Sequence, residues 1–128
     1  MLSRCIQCLI LFFQAGGHVH LEQPPPAMSW LEPVVKAFLL LTGAFCINLP
    51  ACAFGWNIHK AWMFATSFSA LQKLGSTCRH SQSDHESIAG RHNAAGDFLS
   101  KDTACYPDSL ADAFAELVDP LLSDHPVD

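Results

Sequence analysis

The sequence predicts an α/β domain built on part of an open, mostly parallel sheet with flanking helices. Helical and strand patterns alternate along the chain, which is typical of a sheet covered by helices. Two of the strand candidates are continuous apolar runs bounded by turns, and such runs suit strands that are buried on both faces. The length of 128 residues fits one domain with a modest core.

Two helices and one strand are predicted in the first third of the chain. Residues 2–15 form an apolar helix that ends at a Gly-Gly pair, and residues 18–22 alternate like a short strand that ends at three prolines. Ser29 is placed to cap a second helix. Pro33 falls in the first turn of this helix, where proline is tolerated, and Gly43 ends it.

The remaining elements are two strands, a helical turn, a polar loop and a last helix. The apolar runs 45–49 and 61–66 are the buried strands, and residues 69–74 form a helical turn. Residues 75–102 are polar and rich in small residues, so we expect a long loop or a mobile insertion there. Apolar residues return at helical spacing over residues 107–122.

These elements suggest a division of the chain into three segments. Residues 1–74 form the partial α/β core, residues 75–106 form a polar loop that contains histidine and cysteine, and residues 107–128 form a C-terminal helix and tail. Half of the residues are hydrophobic and 15% are charged, which favours a folded chain over a disordered one. A formal net charge of -5 gives no support for a broad nucleic-acid-binding surface.

The first residues allow a second interpretation. Residues 1–17 have one arginine, an apolar stretch and small residues at the end, and this pattern overlaps that of a secretory signal peptide. We favour a helix, because two glutamines interrupt the apolar stretch. The window 34–56 is long enough for a transmembrane helix, but it contains Lys36, Gly43 and Pro50, so a short helix followed by a strand explains it better.

Several short motifs resemble one enzyme family. The helix and strand over residues 4–24 end in Glu22-Gln23-Pro24, which is similar to the Glu-Asn-Pro signature of cytosine-5 DNA methyltransferases. Residues 53–64 resemble the later strand, basic loop and strand of that family, with Lys60 where the family has arginines. Methyltransferase-like proteins of mobile elements share more of these features, which here are Ser29-Trp30, the Cys-x-Phe-Gly run 52–55 and Tyr106-Pro107.

The resemblance implies the C-terminal half of a methyltransferase-like Rossmann fold. The family's glycine-rich cofactor loop and Pro-Cys nucleophile loop do not occur in this sequence. We therefore expect a non-catalytic fragment or subunit that binds no S-adenosylmethionine, whose partners are DNA or a complementing N-terminal half-domain. Missing strands would leave an apolar sheet edge and favour self-association. This interpretation favours a nuclear or cytoplasmic location without membrane association, whereas the signal-peptide alternative is a small secreted or membrane-associated protein.

The candidate site residues fall into two groups. By resemblance, Glu22 would hydrogen-bond a flipped base. Trp56 and Lys60 place an aromatic ring near a cation, which suits stacking on a single-stranded base, although buried tryptophans are commoner.

A zinc-binding module is the third hypothesis. Cys78, His80 and His85 supply the ligands that zinc prefers, and Cys105 is the expected fourth ligand because it follows the polar loop. The spacing is not that of a known finger, so a solvated polar loop is the competing interpretation. The six cysteines lack the density of a disulfide scaffold, and we interpret them as reduced thiols.

Overall fold

The computed structural model describes residues 1–80, 85–86, 92, 94–97 and 105–124. Much of the polar segment predicted over residues 75–102 therefore lies outside the described residues. The chain divides into two units, of which unit 1 comprises Met1–Leu49 and Ala61–Gly75 and unit 2 comprises Pro50–Lys60 and Ser76–Asp128. Residues 50–60 thus group with the later part of the chain. Each unit is described by itself below.

The helices and strands lie close to their predicted positions. Within the described residues, the helices are α1 (Leu2–Gln14), α2 (Pro33–Thr42) and α3 (Asp108–Asp124), and the strands are β1 (His20–Gln23), β2 (Phe45–Pro50) and β3 (Ala61–Thr66). The same part of the chain contains three short 3₁₀ helices, at Met28–Leu31, Ala51–Phe54 and Ser69–Leu74. Among the described residues, none of the helices combines the length and apolar character needed to cross a membrane.

The sheet corrects the predicted fold class. Its three strands lie in the order β1-β3-β2 and form an antiparallel sheet, whereas a mostly parallel, Rossmann-like sheet was expected. The register of β1 and β3 runs from His20 opposite Thr66 to Gln23 opposite Met63. The physical reason lies in the connection between β2 and β3. Residues 51–60 are too few for a crossover, because a parallel connection needs about a dozen residues or more and usually a full helix.

The alternating pattern still reflects a real feature of unit 1. Since β3 is antiparallel to both of its neighbours, β1 and β2 run in the same direction, and α2 lies between them in sequence. This is a β-α-β unit whose two strands are separated by an inserted third strand. The prediction of helices alternating with strands was correct, but the prediction of a mostly parallel sheet was wrong.

The core of unit 1 lies where α1 and α2 pack on the sheet. Its buried members are Ile6, Val19, Val35, Phe38 and Ala65. The apolar residues of α1 recur at helical spacing, so that a single face of the helix carries Leu2, Ile6, Leu9, Ile10 and Phe13. Burial of such a face removes apolar surface from water and is the main source of stability for the unit.

The ends of α2 show which predicted caps were correct. Pro33 occupies the first turn, and Gly43 ends the helix in the left-handed conformation with a φ of 61°, both as predicted. Thr42 supports this end, because its Oγ1 donates to the Phe38 carbonyl at 2.7 Å and accepts from the Ala44 N–H at 3.3 Å. Ser29 does not cap α2. It lies in the preceding 3₁₀ helix, and Glu32 is the cap residue.

A polar connection joins the start of β1 to the end of β3. Val19 N–H donates to Ser67 Oγ at 2.9 Å, and Ser67 N–H donates to the Val19 carbonyl at 3.0 Å. His20 Nδ1 lies 2.7 Å from Oγ1 of the buried Thr66, which also accepts from Phe68 N–H at 3.1 Å. Burial lowers the pKa of His20 below its ordinary value of 6.5, and the nearby charge of His18 lowers it further.

The packing of α2 predicts that two substitutions in this helix change the free energy of unfolding by very different amounts. Phe38 is fully buried, so Phe38→Ala leaves a cavity and should lower the free energy of unfolding by about 3 to 5 kcal/mol. Leu40 is 84% exposed, and Leu40→Ala should change it by less than about 0.5 kcal/mol. Urea denaturation followed by circular dichroism measures both values. Equal effects of the two substitutions would contradict the described packing of α2.

The environment of His20 predicts a loss of stability in mild acid. The unfolded chain binds a proton on this histidine near pH 6.5, whereas the folded chain binds it only at lower pH. Stability should therefore be greatest above pH 6.5, fall as the pH drops through that value, and level off below the pKa of the folded state. Urea midpoints between about pH 8 and about pH 5 test this, and His20→Gln should flatten the profile relative to His59→Gln. An unchanged profile in His20→Gln would contradict the prediction.

Candidate metal centre

The segment between β2 and β3 forms a closed loop within unit 2. It begins with the 3₁₀ helix Ala51–Phe54, which ends at Gly55 with a φ of 92°, a conformation that glycine adopts without strain. Ala51 N–H donates to the Lys60 carbonyl at 2.8 Å, and this bond closes the base of the loop. The loop holds Cys52 in a defined position, because Trp56 N–H also folds back to the Ala51 carbonyl at 3.1 Å.

Two main-chain hydrogen bonds tie this loop to a later segment of unit 2. Glu86 N–H donates to the Asn57 carbonyl at 3.1 Å, and His59 N–H donates to the Glu86 carbonyl at 3.0 Å. The pair forms an isolated parallel bridge between Ile58 and Glu86. As a result, His85 lies beside Asn57, although the two residues are 28 positions apart in the sequence.

The start of α3 supports the same loop. Ser109 Oγ donates to the Phe54 carbonyl at 2.7 Å, so the helix is attached to the 3₁₀ helix that carries Cys52. Pro107 and Leu110 are buried at this end of α3. Hydrogen bonds at Ala51 and at Phe54, the two ends of the short helix, therefore fix the position of Cys52.

Four side chains come together around this loop. They are Cys52, Cys78, His80 and His85, and their sulfur and ring nitrogen atoms all lie within 4.8 Å of one another. Cys78 Sγ is 3.0 Å from His85 Nε2 and 3.7 Å from His80 Nδ1. The two imidazole rings meet edge to face with their centroids 4.9 Å apart. This cluster, called the Cys₂His₂ cluster below, could hold a metal ion.

Asn57 determines which nitrogen of His85 faces the cluster. Its Oδ1 lies 3.2 Å from His85 Nδ1, and because an amide oxygen only accepts hydrogen bonds, Nδ1 must carry the proton. In the neutral ring, Nε2 then has the free electron pair, and Nε2 is the atom that points to Cys78. Histidines that bind metals are commonly oriented in this way by a hydrogen bond from the other ring nitrogen.

The surroundings of Cys52 favour the protonated form of its thiol in the absence of a cation. Burial raises the pKa of the Cys52 thiol above its ordinary value of 9.0, and the hydrogen bond and charge of Cys78 raise it further. A bound cation would reverse this effect, because metals bind the thiolate and displace the proton. Cys52, Cys78 and His85 are half-buried and His80 is exposed, so an ion could reach the cluster directly from solvent.

The fourth member of the cluster differs from the one the sequence suggests. Cys78, His80 and His85 lie together, but the remaining place is taken by Cys52, whereas Cys105 is exposed and is not among the four. Cys52 stands in an apolar run, where cysteine usually acts as a small buried hydrophobic residue, so its neighbours do not indicate a metal ligand. A signal was present in the Cys-x-Phe-Gly run, since Gly55 ends the short helix three residues after Cys52. All six cysteines are free thiols in the structure.

The other predicted site residues, Glu22, Trp56 and Lys60, are not members of this cluster. Glu22 is exposed in β1, and its base-contacting role, which rests on the resemblance, stays a prediction. Trp56 and Lys60 are half-buried in the loop of unit 2, and base stacking by these residues stays a prediction. Trp62 is buried in unit 1, in keeping with the alternative that it is a core residue.

Comparison of the chain with protein-family models, with curated protein sequences and with solved structures finds no match.

The contact between Asn57 and His85 predicts a measurable contribution to metal affinity. Asn57→Leu removes the acceptor that orients the His85 ring, so the affinity of the cluster for a metal ion, measured with added Zn²⁺, should fall by about 10- to 100-fold. Asn57→Asp keeps an acceptor at the same position and should retain most of the affinity. Competition with a chromogenic zinc chelator measures both. Equal affinities for the parent and Asn57→Leu would show that the contact does not orient the ring.

Proposed function

We propose that unit 2 is a zinc-binding module in which Cys52, Cys78, His80 and His85 are the ligands of one structural zinc ion. The observation that supports this most directly is the convergence of two thiols and two imidazoles within 4.8 Å. These groups are the ligands of many tetrahedral structural zinc sites. The cluster also joins a loop and a later segment that are far apart in the sequence. Structural metal ions commonly link distant segments in this way.

The distances suit a tetrahedral ion after a small adjustment. Bond lengths of about 2.0 Å to nitrogen and about 2.3 Å to sulfur place the ligand atoms of a tetrahedral zinc site roughly 3.3 to 3.8 Å apart. The Cys78 Sγ to His80 Nδ1 distance of 3.7 Å already lies in this range. The Cys78 Sγ to His85 Nε2 distance of 3.0 Å is shorter than this range, and the remaining distances are at most 4.8 Å, so small side-chain rotations would bring the four atoms to an ion.

The ligand types favour zinc over other abundant cations. Magnesium and calcium prefer oxygen ligands, which the cluster lacks, whereas two thiolates and two imidazoles suit zinc. Four protein ligands fill a tetrahedral coordination shell and leave no open position for a water or substrate. A structural ion therefore fits this ligand set better than a catalytic one.

Metal binding would add to the stability of unit 2. Among its described residues, the buried apolar side chains include Ala51, Pro107 and Leu110. The free energy of metal binding would add to that of folding. Ligand binding to the folded state alone contributes about 2.7 kcal/mol when free zinc exceeds the Kd by about one hundredfold.

Metal analysis of the purified chain tests the proposal. Protein expressed in zinc-supplemented medium and purified without chelator should contain one zinc ion per chain. Cys78→Ser and His85→Ala should lower this content strongly, whereas Cys105→Ser and His59→Ala should not change it, because the last two residues are exposed and lie outside the cluster. Zinc content near zero in the parent, or equal losses in all four variants, would refute the site.

Cobalt substitution gives an independent readout that does not depend on the variants. Co²⁺ bound by two thiolates and two imidazoles in a tetrahedron gives strong visible bands together with charge-transfer absorption from sulfur. Added Zn²⁺ should remove both signals at a ratio of one ion per chain. A weak octahedral spectrum without sulfur bands would show that the thiols do not bind the ion.

A further inference from the structure

The two thiols of the Cys₂His₂ cluster are also close enough to each other to be candidates for a disulfide bond. Cys52 lies on the 3₁₀ helix Ala51–Phe54 and Cys78 lies on a separate segment of unit 2, so the pair would connect two regions that are far apart in sequence. Their Sγ atoms are within 4.8 Å of each other, and both side chains are half-buried rather than sealed in a core. Small oxidants can therefore reach them.

We propose that a hydroperoxide oxidises Cys52 and Cys78 to a disulfide and that this reaction expels the metal ion. The inference rests on the proposed zinc site and adds a form of regulation to it. The geometry requires only a closure of the two Sγ atoms from at most 4.8 Å to a bond of about 2.05 Å. Rotation of the two side chains about their Cα–Cβ bonds supplies movement of that size.

The chemistry balances with one molecule of hydrogen peroxide. The sulfur of one cysteine attacks a peroxide oxygen, which breaks the O–O bond, releases one molecule of water and leaves a sulfenic acid. The sulfur of the second cysteine then attacks the sulfenic sulfur, forms the S–S bond and expels the hydroxyl group as a second water. In the metal-free chain the two thiols lose two electrons and two protons, and the peroxide is reduced to two molecules of water. In the zinc-bound chain the two thiolates lose two electrons, the two protons come from the solvent, and the zinc ion leaves as the S–S bond forms.

Loss of the metal follows from the ligand set. A disulfide sulfur carries no negative charge and is a poor ligand for zinc, so oxidation leaves only His80 and His85. Two imidazoles without thiolates bind zinc far less tightly than the complete set. A dithiol reductant reverses the reaction by thiol–disulfide exchange and restores both thiolates. The cluster would therefore bind zinc under reducing conditions and release it under oxidising ones.

Two parallel arms test this inference on the full chain. In the first arm, zinc-loaded protein is treated with stoichiometric hydrogen peroxide, and released zinc is followed with a chromogenic chelator. In the second arm, metal-free protein receives the same treatment. In both arms, remaining free thiols are blocked and the disulfides are mapped by mass spectrometry. Trypsin cleaves after Lys60 and Lys73, so Cys52 and Cys78 fall on separate peptides.

A matched set of variants assigns the bond. Cys46 shares a tryptic peptide with Cys52, so the mapping is repeated in Cys46→Ser, which should still form the cross-link. Cys105→Ser should behave like the parent, because Cys105 is exposed and lies outside the cluster. Cys52→Ser should form no cross-link to the Cys78 peptide. A dithiol reductant should restore one zinc ion per chain to the oxidised parent.

The outcomes separate this inference from the zinc proposal. A bond between Cys52 and Cys78 in both arms, with zinc release in the first, supports the inference. The same bond in the metal-free arm of a chain that binds no zinc would refute the zinc site but support the dithiol pair. Zinc that stays bound after peroxide treatment, or that leaves without a bond between these two cysteines, would overturn the inference while the zinc site stands.

Discussion

The short connection between β2 and β3 constrains both units. Because residues 51–60 cannot span a crossover, β3 turns back beside β2 and the sheet becomes antiparallel. The same residues close into a loop through the hydrogen bond from Ala51 to Lys60 and carry Cys52 and Asn57. One segment thus decides the direction of the central strand in unit 1 and supplies two of the residues on which the candidate metal centre of unit 2 depends.

The two units rely on different sources of stability. Unit 1 has a conventional core, in which α1 and α2 cover the sheet through residues such as Ile6 and Phe38. In unit 2 the described residues are held mainly by hydrogen bonds, among them those of Glu86 and Ser109. Hydrogen bonds contribute little net free energy when water competes for the same groups. A metal ion bound by four side chains would add its binding free energy to that of these hydrogen bonds.

The family resemblance and the structure lead to different expectations about function. The resemblance to cytosine-5 DNA methyltransferases implied a mostly parallel sheet, and the antiparallel sheet contradicts that fold. The base-contacting role of Glu22 rests on the resemblance alone and stays a prediction. The zinc hypothesis depended on ligand chemistry alone rather than on the sheet, and its residues Cys78, His80 and His85 do lie together. Whether they bind an ion is what the metal analysis decides.

The sequence by itself determined the local elements, because they depend on neighbouring residues. Apolar spacing placed α1 and β3, and Pro33 and Gly43 placed the ends of α2, since proline and glycine act on the backbone where they stand. Only the tertiary structure decided the strand order and the choice of Cys52 over Cys105. Both depend on contacts between distant segments, such as the hydrogen bonds of Glu86 to the loop at residues 57–59, which leave no periodic trace in a single sequence.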